Sequence, residues 1–211
     1  MLLVTGTSGI ELTAGPPKTN HLLRPNKTNL SKPGPNEDGP GLRTKSLQDG
    51  LTRQDIINEL VGPGVTVSNL TITGAPRAIG TFTNGTGIIG FERGIVLSTG
   101  AVSNVVGPNP LSDASVINGT PGDPALDALV IFGTNDAAIV EFDFECNELQ
   151  FIQFQYVFSS DEYNEFVGSP FNDIFAFFLN GQNIALVPGT MQPVAIESIN
   201  CGNPFNPNNG V

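Results

Sequence analysis

The sequence predicts an all-β fold, an antiparallel β-sandwich of the jelly-roll-like kind with one short N-terminal helix. Charged residues make up only 14% of the chain, Trp is absent, and 25 Gly and 17 Pro separate short apolar runs. This composition is typical of turn-rich all-β modules. Several runs alternate apolar and polar residues with a period of two, the pattern of half-buried strands. At 211 residues the chain has the length of one ordinary domain.

The charge distribution divides the chain into two parts. Residues 1–53 hold seven of the nine Lys and Arg against four acids, whereas the remainder carries two basic and sixteen acidic residues. The Pro- and Gly-rich basic segment 1–48 shows no apolar periodicity, so we expect it to be disordered and residues 49–211 to form the domain. An acidic body repels phosphate groups, which disfavours nucleic-acid binding and charge-driven attachment to anionic membranes.

The predicted elements begin with a helix over 53–61. Thr52 and Asp55 have the spacing of a capping box, an apolar face follows, and a Gly-Pro pair ends the helix. The dipeptide Asn180-Gly181 predicts a tight hairpin, because both residues tolerate a positive φ. Strands are predicted over 65–74, 94–99, 137–144, 151–158, 174–179 and 183–187.

A loop crowded with oxygen-bearing side chains separates the strands predicted at 151–158 and 174–179. It holds four carboxylates and two amides, and no Lys or Arg follows Arg93 to neutralise them. A hard cation relieves such repulsion, and oxygen ligands without His or Cys favour calcium. The alternative is a solvated loop whose Asp and Asn side chains cap backbone turns. The predicted metal ligands are Asp161, Glu162, Asn164, Glu165, Asn172 and Asp173.

A second long loop, over 101–134, has weak periodicity and many turn residues. Loops of this length in a compact domain are often functional or mobile. Asp113, Asp123 and Asp127 would add oxygen ligands if this loop folded over the acidic one, which spacing alone does not show.

Two further pairs of residues each allow two interpretations. Tyr163 and Phe166 are candidates for stacking on the face of a sugar ring, but equally for packing in the core. Cys146 and Cys201 lack a CxxC spacing, which disfavours a metal or thioredoxin-type site. They form either one disulfide, in an oxidising compartment, or two separate thiols.

Four sequence motifs are similar to those of a known protein family. The motifs IINELVGPGVTVSNLTITGAP, GIVLSTGAVSNVVGPN, SSDEYNEFVGSPFND and FAFFLNG occur in this order. Over roughly 51–205 the chain resembles the choice-of-anchor L domain. The resemblance implies a bacterial secreted or cell-surface protein with a C-terminal anchoring signal.

The sequence departs from that family pattern at both ends. Family members begin with an export signal, whereas MLLVTGTSGIELTAG is not a convincing signal peptide. The family domain also continues beyond the GNPF motif, so we expect C-terminal strands to be missing here.

The leading functional interpretation is a non-catalytic, extracellular or cell-surface module that binds calcium and serves adhesion or surface-matrix organisation. Its expected partners are glycans or the cell-surface matrix, and the oligomeric state is left open. One alternative is a glycoside hydrolase that uses the loop carboxylates. Another is a ligand-free structural surface module. A Ser or Cys hydrolase is disfavoured because the sole histidine, His21, lies in the basic segment. The sequence holds no stretch of eighteen apolar residues, so it predicts no transmembrane helix.

Overall fold

The computed structural model describes residues 2–6, 41–107, 116–146, 154–164 and 166–202. It confirms a predominantly β fold, in which strands pair in antiparallel sheets that stack as a sandwich without closing into a barrel. The strands are β1 (Leu2–Gly6), β2 (Arg43–Ser46), β3 (Val65–Thr73), β4 (Ile79–Thr83), β5 (Arg93–Leu97), β6 (Ile139–Cys146), β7 (Phe154–Phe158), β8 (Ile174–Phe175), β9 (Phe178–Leu179), β10 (Gln182–Asn183) and β11 (Val194–Ala195).

The main sheet has five strands in the order β2-β4-β5-β1-β7. β1 lies between β5 and β7 and pairs antiparallel with both. This differs from the expectation of disorder over 1–48, because β1, β2 and a short 3-10 helix (Leu47–Asp49) fall at least partly within that segment. Residues 7–40, including His21, lie outside the described residues.

A two-stranded ribbon of β3 and β6 forms the second layer. Its register runs from Val65 opposite Cys146 to Thr73 opposite Ile139, with an irregularity after Ser68. Because successive side chains of a strand point to opposite faces, the alternating apolar residues of both strands share one face. That face packs against the core through half-buried residues such as Val67, Leu70, Ile72, Val140 and Phe142.

The helix α1 (Arg53–Leu60) confirms the predicted capping box. The Thr52 Oγ1 accepts a hydrogen bond from the Asp55 N–H at 3.1 Å, and the Asp55 carboxylate accepts one from the Thr52 N–H at 2.8 Å. These bonds satisfy two backbone donors that a helix start leaves without partners. The helix presents Ile56, Ile57 and Leu60 to the core, where all three are buried.

Both faces of the main sheet are covered. One face lies on the core beneath α1 and the β3–β6 ribbon, where Ile79 and Ile95 are buried. The other face carries a second cluster of Leu42, Phe82, Val96 and Val102. Val102 begins a short 3-10 helix (Val102–Val106). A further short helix, α2 (Thr86–Ile89), connects β4 to β5.

The prediction of one strand over 174–179 is wrong. β8 pairs with β11, whereas β9 pairs with β10, so two separate antiparallel pairs replace one strand. The Asn183 Oδ1 accepts hydrogen bonds from the N–H groups of Phe177 and Ala185, at 3.1 and 3.0 Å. A side chain thus takes the place of a main-chain partner at the break. The predicted Asn180-Gly181 turn is confirmed, with φ of 50° and 80°.

Candidate functional site

The acidic loop connects β7 to β8 and brings two of the predicted ligands together. The Ser160 hydroxyl donates a hydrogen bond to Asp173 Oδ2 at 2.8 Å and also contacts Glu162 Oε2. The same hydroxyl oxygen accepts a hydrogen bond from the Glu162 N–H at 3.2 Å. Ser160 and Asp173 lie at opposite ends of the loop, so this contact closes it. We call Glu162 and Asp173 the carboxyl pair.

The carboxyl pair carries more acceptor capacity than its serine can satisfy. Burial, followed by the negative charge of Asp173, raises the pKa of Glu162, while the Ser160 hydrogen bond acts in the opposite direction. A hydroxyl has one hydrogen, so Ser160 cannot donate to both carboxylates at once. Repulsion between the two charges is relieved by a proton on one of them or by a bound cation.

Tyr163 lies beside the pair and packs against the end of β7. Its ring meets the edge of the Phe158 ring at a centroid distance of 6.4 Å and an angle of 88°. The hydroxyl oxygen is buried and makes no hydrogen bond to any residue that the structure describes. Burial, then the charges of Asp173 and Cys201, raises the pKa of Tyr163 to about 12. The Tyr163 residue as a whole is half-buried in this environment.

Phe166 forms an aromatic pair further along the loop. It is half-buried, and its ring meets that of Phe171 edge to face at 5.5 Å and 77°. Phe171 is 61% exposed. The exposed ring of this pair is therefore Phe171, a residue that sequence reasoning did not single out.

Asn172 lies near the pair but is engaged elsewhere. Its Oδ1 accepts a hydrogen bond from the Glu197 N–H at 3.1 Å, and the Glu197 carboxylate accepts one from the Gly168 N–H at 2.7 Å. These bonds tie the acidic loop to the segment that follows β11. Asp161 and Asn164 are half-buried in the same turn as Glu162.

The remaining predicted ligand of this loop, Glu165, lies outside the described residues. Within the described part of the chain, no three His, Cys, Asp or Glu side chains come together as a metal-binding group. Any cation held here would therefore rest on the carboxyl pair supplemented by other oxygens.

In the second long loop, Asp123 and Asp127 accept hydrogen bonds from other residues of the same loop. Asp123 caps the short helix α3 (Pro124–Asp127) by accepting hydrogen bonds from two N–H groups of its first turn. Asp127 Oδ1 accepts from both the N–H and the hydroxyl of Thr134, each at 2.6 Å. These hydrogen bonds lie within this loop. Asp113 lies outside the described residues.

Ser160 and Glu197 are the residues of this region that sequence reasoning missed. Ser160 precedes the acidic run directly, so a hydroxyl next to clustered acids was the available signal. Glu197 follows β11 and carries no comparable signal, because only the fold brings it to the loop. The disulfide considered for Cys146 and Cys201 is not formed in the structure, where both are free thiols.

The antiparallel β-sandwich, with an oxygen-rich loop between two of its strands, places this chain in the class of β-rich modules. The family model described as the choice-of-anchor L domain matches residues 44–210. This chain therefore belongs to the choice-of-anchor L domain family, and the family indicates a secreted or cell-surface module. The comparisons with curated proteins and with solved structures found no match. None of the helices in the described ranges is long and apolar enough to cross a membrane.

Proposed function

We propose that this chain is a non-catalytic surface module whose acidic loop binds calcium and presents a surface for adhesion or surface-matrix organisation. The observation that carries the proposal is the carboxyl pair, Glu162 and Asp173, meeting at one serine hydroxyl in a half-buried position. Two carboxylates that share one donor form a site that gains stability from a bound cation.

The composition of the chain favours a metal cation over a protein cation at this site. No Lys or Arg follows Arg93, so no basic side chain of the segment 94–211 is available to neutralise the pair. Calcium takes six to eight oxygen ligands, and carboxylates, hydroxyls, main-chain carbonyls and water all serve. The pair and Ser160 would supply part of this shell. Extracellular calcium modules bind at about 10⁻⁴–10⁻³ M, which suits a secreted protein.

Calcium at the pair would stiffen the loop that joins β7 to β8. Ser160 and Asp173 lie at the two ends of this loop, and the aromatic pair of Phe166 and Phe171 lies between them. A fixed loop would present the exposed Phe171 ring for contact with a glycan or with the cell-surface matrix. Such a contact loses less entropy when the loop is already ordered.

Thermal unfolding of the full chain tests the calcium site directly. Midpoints are compared in excess calcium, in excess chelator, and in magnesium with chelator selective for calcium. At a calcium concentration 100-fold above Kd, binding adds about 2.7 kcal/mol, which corresponds to a rise of about 5–10 °C for a domain of this size. Glu162→Gln and Asp173→Asn should each abolish the rise.

The matched control is Glu145→Gln, because Glu145 is an exposed acid on β6, in the β3–β6 ribbon and outside the acidic loop. It should keep the full calcium response. Identical curves for the unchanged chain in calcium and chelator would overturn the proposed site. Glu162→Gln carries a second signature, since it removes the like charge and should raise the midpoint in chelator.

One observation favours a second candidate function, a glycoside hydrolase. Glycosidases pair a carboxylic acid of raised pKa with a second carboxylate, and Glu162 has a raised pKa beside Asp173. Release of reducing ends from polysaccharides, lost in Glu162→Gln and kept in Glu145→Gln, would favour this function. Calcium-dependent stability without release would favour the binding module.

A further inference from the structure

The N-terminal strand β1 fills a slot in the middle of the main sheet. It pairs with β5, where Leu3 lies opposite Val96, and with β7, where Thr5 lies opposite Gln155. Among the described strands, β7 joins the main sheet through β1 alone. Without β1, the sheet would end at β5 and two strand edges would face each other across a gap one strand wide.

The two walls of this slot belong to the family domain, but the strand that fills it does not. The family match covers 44–210, which includes β5 and β7, whereas β1 ends at residue 6. The matched domain thus contains two open edges that a separate segment closes. Unpaired edges of this kind are ready templates for an incoming strand.

The connection between β1 and β2 is long enough to reach another molecule. Residues 7–42 separate the two strands, a stretch of 36 residues. Fully extended, it spans at most about 130 Å, whereas a domain of this size is about 40 Å across. Cis pairing and pairing with a neighbouring molecule are therefore both within reach of β1.

We propose that the slot between β5 and β7 is an acceptor for the β1 strand of a second copy of this chain. Exchange of an identical strand keeps every hydrogen bond of the sheet and gains a connection between copies. A tethered strand acts at an effective concentration in the millimolar range or below, so dilute protein pairs in cis. Dense packing of copies on a surface favours exchange, which links the modules to one another.

Disulfide trapping in the full chain tests the exchange. Cys146→Ser and Cys201→Ser remove the native thiols, and Thr5→Cys and Gln155→Cys are then made in separate chains. Directly opposite residues of an antiparallel pair lie close enough for a disulfide. After mixing at about 1 mM (the upper range of tethered-strand concentrations) under mild oxidation, we expect a disulfide-linked heterodimer whose mass-mapped crosslink joins positions 5 and 155.

Two controls make the trap specific to the slot. Thr71 is exposed on β3 and pairs with β6, so Thr5→Cys mixed with Thr71→Cys should give at least tenfold less heterodimer. Val4→Pro in the Thr5→Cys chain should abolish trapping, because proline cannot pair normally in a central strand. A synthetic peptide of residues 1–6 should compete with the donor strand and lower the yield.

A double variant with Thr5→Cys and Gln155→Cys in one chain shows whether β1 occupies the slot. We expect it to form an intramolecular disulfide at micromolar concentration. If the double variant forms its intramolecular disulfide but the mixture of single variants gives no heterodimer, the strand does not exchange. An unlinked double variant would mean that β1 does not occupy the slot. Either result overturns the proposal, and neither bears on the calcium response.

Discussion

Two groups of acids in this molecule differ in how their carboxylates are satisfied. Asp49 and Asp55, each in the first turn of a short helix, each accept hydrogen bonds from a main-chain N–H and a hydroxyl, at 2.6–3.0 Å. These bonds, with Ser46 and Thr52, lower the pKa of both carboxyls. In the acidic loop, Glu162 and Asp173 share one hydroxyl, and the pKa of Glu162 is raised.

The difference lies in the ratio of donors to carboxylates. Each capping acid has two donors of its own and is most stable ionised. In the loop, one serine hydrogen serves two carboxylates. An acid that caps a helix therefore completes local structure, whereas the role that we propose for the carboxyl pair is to bind a cation.

Removal of the shared donor should have the largest effect on stability. Ser160→Ala takes a hydroxyl from both carboxylates and from the Glu162 N–H. Hydrogen bonds to charged groups contribute about 1.5–3 kcal/mol, so we expect a loss of about 2 kcal/mol in chelator. Calcium should restore part of the loss, because the carboxyl pair remains.

Urea unfolding in calcium and in chelator measures this difference. Ser169→Ala offers a control in the same loop, since the Ser169 hydroxyl accepts a hydrogen bond from the Phe171 N–H. Its loss should be smaller and independent of calcium. A loss from Ser160→Ala that calcium leaves unchanged would contradict the role of the pair as a cation site.

Removal of a helix cap should cost less. Thr52→Ala deletes the hydroxyl that accepts from the Asp55 N–H and donates to the Asp55 carboxylate. N-cap substitutions of this kind cost about 1 kcal/mol. The loss should be the same with and without calcium, as measured by urea unfolding. Arg53→Ala, at the exposed first position of the helix, keeps the cap and should change stability by less than about 0.5 kcal/mol.

The two groups also differ in how far the sequence predicts them. All determinants of the α1 cap lie within four residues, from Thr52 to Asp55, so the spacing alone predicts the bonds. The acidic loop was predicted as a set of six ligands, but only the ends of β7 and β8 decide that Glu162 and Asp173 meet. That choice depends on contacts between residues thirteen apart, such as Ser160 and Asp173.

Nonlocal pairing explains the other differences between prediction and structure. The segment LLVTG stands before a Pro-rich basic stretch and becomes a strand because β5 and β7 pair with it from both sides. The break between β8 and β9 depends on the Asn183 side chain, which bonds to the Phe177 N–H six residues away. Neither contact leaves a periodic signal in the sequence, whereas the strands β3, β5, β6 and β7 do.

The pH dependence of stability should also distinguish the acidic loop from the helix-capping acids. We expect this to be the smallest of the predicted effects. The folded pKa of Glu162 is raised above its ordinary 4.5, so its contribution to stability is present below that value and is lost as the pH rises through the folded pKa. The folded pKa values of Asp49 and Asp55 are lowered below 3.8, so their contributions are present above it and are lost as the pH falls.

These signs place the two effects in different pH windows. In chelator, acidification from neutral pH towards 4.5 should raise the unfolding midpoint through Glu162, and further acidification below 3.8 should lower it through the capping acids. Glu162→Gln should flatten the upper window alone, while Asp55→Asn should flatten the lower one. Glu145→Gln should alter neither. If Glu162→Gln left the upper window unchanged, the pair would behave as ordinary solvated acids, and the contrast with the helix caps would fail.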